Sequence, residues 1–160
     1  MKNNTEEKKN ELLTVVNMDE PLAEHFSLGE ILRSYTADLL GINNVPTAEQ
    51  VDNLKALCQH VLEPLRQRFG VILISSGFRN VRLNRAVGGS PQSQHMRGEA
   101  ADIFVASPEQ GDQMFAFIRD NLQFDQLLYE HKVRNGLRWI HVSYVRRRRP
   151  NRHKSSSFWY

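Results

Sequence analysis

The sequence predicts a mixed domain in which amphipathic helices back a sheet, and three observations carry that expectation. Apolar residues recur at helical spacing through 28–35 and 51–65. VILIS at 71–75 and AADIFV at 100–105 are short runs of strand formers, and Asn135-Gly136 separates two further strand-like stretches. The chain has 160 residues, enough to bury a core without disulfides, and is 40% apolar and 24% charged, as globular domains are. No apolar run approaches the roughly 18 residues of a spanning helix.

Taken in order, residues 1–20 read as a flexible segment, 21–146 as the folded domain and 147–160 as a basic C-terminal tail. The N-terminal stretch mixes acids with lysines and shows no apolar core of a secretory signal. A cytoplasmic location and release from the cell by another route both stay open. Ser27 stands where a helix N-cap belongs, with Glu30 three residues on and Leu28, Ile31, Leu32 and Tyr35 as the apolar face. Thr47 and Gln50 form a second capping pair; Val51, Leu54, Leu57, Cys58, Val61, Leu62 and Leu65 follow as one stripe, and Gly70 is the stop.

VILIS then reads as a central strand, and the long Gly-, Ser- and Asn-rich stretch 76–94 as a functional loop. AADIFV is the next strand. Ser107, Pro108 and Gln110 open the next helix, and FDQLLYE and LRWIHVSYV are the final strands, joined by HKVRNG. Cys58, the only cysteine, excludes an internal disulfide or a cysteine zinc ribbon and reads as a small buried hydrophobe.

Chemistry concentrates in SQHMRGEAADIF, residues 93–104. His95 and Asp102 stand seven positions apart, with Gly98 allowing a tight backbone turn between them and alanines leaving room beside the aspartate. Strand alternation puts Asp102 on one face with Ala100 and Phe104, and turns Glu99 away. An imidazole nitrogen and a carboxylate oxygen are both zinc ligands, and a catalytic zinc takes three protein ligands. His25, His60 and His153 are demoted by position, and His131 stays open. His141 is the better third candidate because it interrupts an apolar strand, although taken alone a core histidine satisfied by hydrogen bonds is the more ordinary reading.

If Asn135-Gly136 forms a two-residue type I′ turn, counting outward pairs Glu130 with His141 on one face. A carboxylate so placed either orients the imidazole or acts as a general base.

SSGFRN, LNRAVGGSPQSQHMRGEAADI and WIHVSY together resemble the zinc D-Ala-D-Ala carboxypeptidase family, whose wider group includes vancomycin-resistance D,D-dipeptidases and phage endolysins. The likeness runs from about His25 to Tyr144, and its Ser-x-His-x-x-Gly-x-Ala core falls on Ser93, His95, Gly98 and Ala100. The resemblance implies an α+β fold of the hedgehog/DD-peptidase type with a central antiparallel sheet and flanking helices. It also implies one Zn²⁺ held by His95, Asp102 and His141. Arg79, in the SGxR loop, would polarise the scissile carbonyl and, with Ser93, bind substrate; a plain loop arginine is the bland alternative. Many relatives carry a catalytic acid three positions before the last histidine, where this chain has Arg138, which cannot act as a base. Glu130 is then the candidate base.

The resulting expectation is a monomeric zinc peptidase that hydrolyses peptidoglycan stem peptides through a metal-activated water. A zinc-containing cell-wall peptide-binding module without catalysis is the alternative. All residues after Glu130 include nine Lys or Arg and no acid, so nucleic-acid binding by the tail is a further rival. Nothing in the body of the chain supports it, and a solvated tail is the simpler expectation.

Overall fold

A computed structural model describes residues 16–160. The elements are β1 (Pro21–Ala23), β2 (Phe26–Ser27), α1 (Leu28–Leu32), α2 (Tyr35–Leu40), α3 (Ala48–Leu57), a π-helical turn (Cys58–Leu62), α4 (Glu63–Phe69), β3 (Ile74–Ser76), α5 (Val81–Ala86), a 3₁₀ turn (Gln94–Arg97), β4 (Ala100–Val105), α6 (Pro108–Asn121), β5 (Gln126–His131), β6 (Arg138–Ser143) and β7 (Lys154–Trp159). The fold is α+β. No helix among the described residues is long and apolar enough to cross a membrane.

The predicted caps form locally. Ser27 Oγ accepts from Glu30 N and Ser107 Oγ from Gln110 N, while Thr47 and Gln50 make a reciprocal capping box. The first predicted helix is broken, because Ser34 caps α2 as a separate helix. Gly70, at φ 79°, ends α4.

The main sheet has the order β3-β4-β6-β5-β7. Burial alternates along the three inner strands, so Ala101, Ile103, Val105, Leu127, Tyr129, Ile140 and Val142 form one apolar face. That face belongs to one core with Leu54, Leu57, Val61, Leu62 and Leu65 from the long helical stretch and Met114 and Ile118 from α6. The opposite face keeps Asp102, Phe104, Leu128, Glu130, Trp139 and His141 partly accessible.

Four expectations need correction. VILIS supplies an edge strand that starts only at Ile74, because Val71 and Leu73 face outward. The 76–94 loop contains α5, capped by Asn80. The sheet is mixed, not antiparallel, since β7 pairs parallel to β5. The hairpin is four residues long: Lys132 N donates to Leu137 O, Gly136 sits at φ 72°, and Asn135 keeps a negative φ, so no type I′ turn forms. Asn135 instead uses its side chain to accept from Leu137 N, and Val133 N is taken by Tyr160 O.

The N- and C-terminal segments also differ from expectation. Residues 16–20 lie on the fold, with Met18 O and Glu20 O accepting from Gly29 N and Leu28 N; the rest of the predicted flexible segment lies outside the described residues. The basic tail is neither unstructured nor merely solvated. Asp125 is fully buried, and Arg149 and Arg152 each grip its carboxylate, with Arg152 N adding a backbone bond. Buried Glu99 is held likewise by Arg148 and Arg97. Gln94 Nε2 donates to both carboxylates, at 3.2 Å to Glu99 and 3.1 Å to Asp125. Two buried anions thus draw the arginine run inward, because either would be costly without cations beside it.

Burial alone would raise both carboxyl pKa values. Hydrogen bonds from Arg149 and Arg152 hold Asp125 well below the usual carboxylate range, and those from Arg148, Arg97 and Gln94 lower that of Glu99. Groups depressed in the folded state stabilise it fully above their ordinary pKa, and that contribution is lost as pH falls through the folded value. Asp125→Ala is therefore expected to cost about 3 kcal/mol in urea unfolding at neutral pH, with the gap from wild type narrowing below about pH 4. Gly111 in α6 gives a second expectation, since an added Cβ would lie 2.1 Å from Tyr129 Oη and 2.6 Å from Val105 Cγ1. The helix-propensity gain of about 1 kcal/mol is outweighed by overpacking of about 1–3 kcal/mol, so Gly111→Ala should lower the urea midpoint.

Candidate metal centre

The site is built on the β4–β6 pair. Asp102 stands directly opposite His141, flanked by Ala100 opposite Ser143 and Phe104 opposite Trp139. The apolar residues between them lock this register, because a one-residue slip would turn Ile103 and Ile140 out of the core. His141 Nδ1 lies 2.9 Å from Asp102 Oδ1.

His95 arrives from the 3₁₀ turn. Ser93 Oγ accepts from His95 N, and Gly98 closes the turn at φ 72°, where a Cβ would meet Gln50 O at 2.5 Å. Helix α3 secures the turn through Gln50 Nε2 to Met96 O and Asn53 Nδ2 to Arg97 O. His95 is almost wholly buried, and its Nδ1 donates to Gly77 O at 2.7 Å. That bond turns Nε2 toward Asp102 Oδ1, 3.3 Å away, a distance that calls for a proton or a cation between the two atoms.

The ligand atoms of His95, Asp102 and His141 all lie within 4.8 Å of one another. Two imidazoles and one carboxylate, with a backbone carbonyl fixing one tautomer, fit zinc in donor type and number. Burial would raise the Asp102 pKa, but the two histidines hold it well below the usual range, so the carboxylate is ionised and ready to ligate.

The remaining histidines lie elsewhere. His131 is on the opposite face of the sheet, edge-on to Trp159, and His60 stacks on Tyr144. His153 Nε2 meets Arg119 O. Glu24, His25 and Glu63 form a second close group, but His25 already bonds Glu63 through both Nδ1 and its backbone N–H.

Arg79, Ser93 and Glu130 line the same cleft as the triad, a space of about 820 Å³. Arg79 Nη1 and Nη2 donate to Ser76 Oγ and Ser93 Oγ, whereas its buried Nε has no partner among the described residues. Ser93 is therefore a support for both Arg79 and the His95 turn. Glu130 is not paired with His141 as the short hairpin predicts: Leu128 is opposite His141, and Glu130 is opposite Trp139. The register differs by two residues, which keeps Glu130 on the cleft face but makes it a diagonal neighbour of His141. Arg138 points to the other face, near Tyr129 and Trp159, and so does not occupy the place of a cleft base.

Several cleft residues escape the sequence reading. Tyr160 Oη donates to Glu130 Oε1 at 2.7 Å, which pushes the tyrosine pKa up to about 12, and its ring lies parallel to that of Trp139. Arg148, Arg149 and Arg152 also line the cleft. Nothing local announces either group: the arginines are drawn in by Glu99 and Asp125, and Tyr160 arrives at the end of β7.

No curated protein matches the sequence. The family model for Peptidase M15 matches residues 24–143, a span that holds the SGxR loop, the His95 turn and all of β4 to β6. With most of the chain covered, the protein belongs to the peptidase M15 family and is a peptidase by descent.

Proposed function

We propose that this chain is a zinc-dependent peptidase of the hedgehog/DD-peptidase type that hydrolyses peptidoglycan stem peptides. The observation that carries the reading is the convergence of His95, Asp102 and His141 in a cleft that also holds one carboxylate, Glu130, and one under-bonded arginine, Arg79. The stem-peptide substrate is supported by the motif resemblance and by the family.

His95, Asp102 and His141 are the ligands in this reading. Zinc, when bound, supplies a Lewis acid and lowers the pKa of a coordinated water. Glu130 accepts a proton from the attacking water as the new C–O bond forms, and delivers it to the amine nitrogen as the C–N bond breaks. Tyr160 holds the Glu130 carboxylate from one side, which keeps the other oxygen free for that transfer. Arg79 stabilises the carbonyl oxygen as negative charge develops, through the Nη N–H bonds that Ser76 and Ser93 do not occupy. Ser93 acts by fixing Arg79 and, through its Oγ, the His95 turn.

The competing reading, a zinc-containing module that binds wall peptides without cleaving them, drew on Arg138. Arg138 faces away from the cleft, and Glu130 is the carboxylate on the cleft face that would do the work of the missing acid.

Glu130→Gln is expected to retain zinc, measured by elemental analysis, while hydrolysis of purified muropeptides falls about 10²- to 10⁴-fold. Undiminished turnover would remove Glu130 from the mechanism. Chelation should abolish wild-type hydrolysis and added zinc restore it; peptide binding that persists with no cleavage in either state would favour the binding module.

A further inference from the structure

The arginine run has no part in the reading above beyond its grip on two carboxylates. Its geometry points to more. Arg97, Arg148, Arg149 and Arg152 line the cleft that holds the metal triad. Beneath them lie Glu99 and Asp125, whose side chains are 3% and 0% exposed, whereas the arginine side chains are 29–43% exposed. Four cations therefore cover two anions, leaving two positive charges in excess on the cleft wall.

Three of these guanidinium groups are anchored along one edge only. Arg148 uses Nε and Nη2 on Glu99, Arg152 uses Nε and Nη2 on Asp125, and Arg97 uses Nε on Glu99. Arg148 Nη1, Arg152 Nη1 and both Nη atoms of Arg97 make no hydrogen bond to another described residue. A guanidinium held this way presents fixed donors and loses little freedom on meeting a planar anion.

We propose that these arginines form a subsite for carboxylate groups of the substrate peptide, making the enzyme selective for acidic stem peptides over their amidated counterparts. The inference rests on the peptidase reading of this cleft. A carboxylate of the substrate is favoured over a wall polymer bound from outside because the donors lie in the same cleft as the triad, where a group attached to the scissile peptide is delivered.

The test compares a stem peptide carrying a free D-glutamyl carboxylate with the same peptide amidated there, using wild-type enzyme and Arg152→Gln. That variant leaves Arg149 on Asp125. Wild type is expected to favour the acid by about tenfold or more in kcat/KM, the scale of one hydrogen bond to a charged group. In Arg152→Gln the acid-to-amide ratio should fall toward one. A purely structural role for Arg152 lowers both substrates alike and keeps the ratio, which overturns the subsite, as does equal cleavage of the two by wild type. If zinc-loaded wild type cleaves neither peptide, the peptidase reading fails. Calorimetric binding of the two peptides then decides the subsite separately: tighter binding of the acid, lost in Arg152→Gln, sustains it, and equal binding overturns it.

Discussion

The antiparallel pairing of β4 with β6 is the constraint on which the rest depends. It sets Asp102 opposite His141, and the same pleat that aims these groups into the cleft drives Ile103, Ile140 and Val142 into the core. The geometry of the candidate metal site is thereby coupled to hydrophobic burial. The register that buries the apolar face is also the one that brings the candidate ligands together, so the site is positioned by stabilisation independent of any metal.

A second constraint acts on His95. Its turn is gripped by α3 from one side and, through the adjacent Gln94, by the Glu99–Asp125 pair from the other. Those carboxylates are buried and so recruit arginines from a segment some fifty residues away in the case of Glu99 and half that for Asp125. Folding the arginine run against the domain then delivers β7 to the edge of β5, which places Tyr160 on Glu130 and Trp139. One electrostatic requirement in the interior thus shapes a wall of the cleft.

Much of this is legible from local pattern. The caps at Ser27, Thr47 and Ser107, the stop at Gly70 and the face shared by Asp102 and Phe104 are short-range consequences of residue type, and each forms. The hairpin shows where local reasoning stops. Asn135-Gly136 favours a two-residue turn in isolation, yet Tyr160 claims Val133 N and the loop widens. The cleft face of Glu130 survives because the register differs by an even number, while its cross-strand partner changes to Trp139.

The sequence by itself determined the long helical stretch, α6 and the inner strands, and singled out His95, Asp102 and His141 as candidate ligands with Arg79 and Glu130 as their candidate neighbours. These follow from periodicity, capping chemistry and motif spacing, all carried within a few residues or by resemblance. Only the tertiary structure decided that the basic tail becomes a parallel edge strand, that Arg138 turns from the cleft, that three arginines of the tail line it, and that Tyr160 meets Glu130. The reason is physical: whether a charged segment stays in water or folds inward depends on anions buried far away along the chain, and burial is a property of the whole fold.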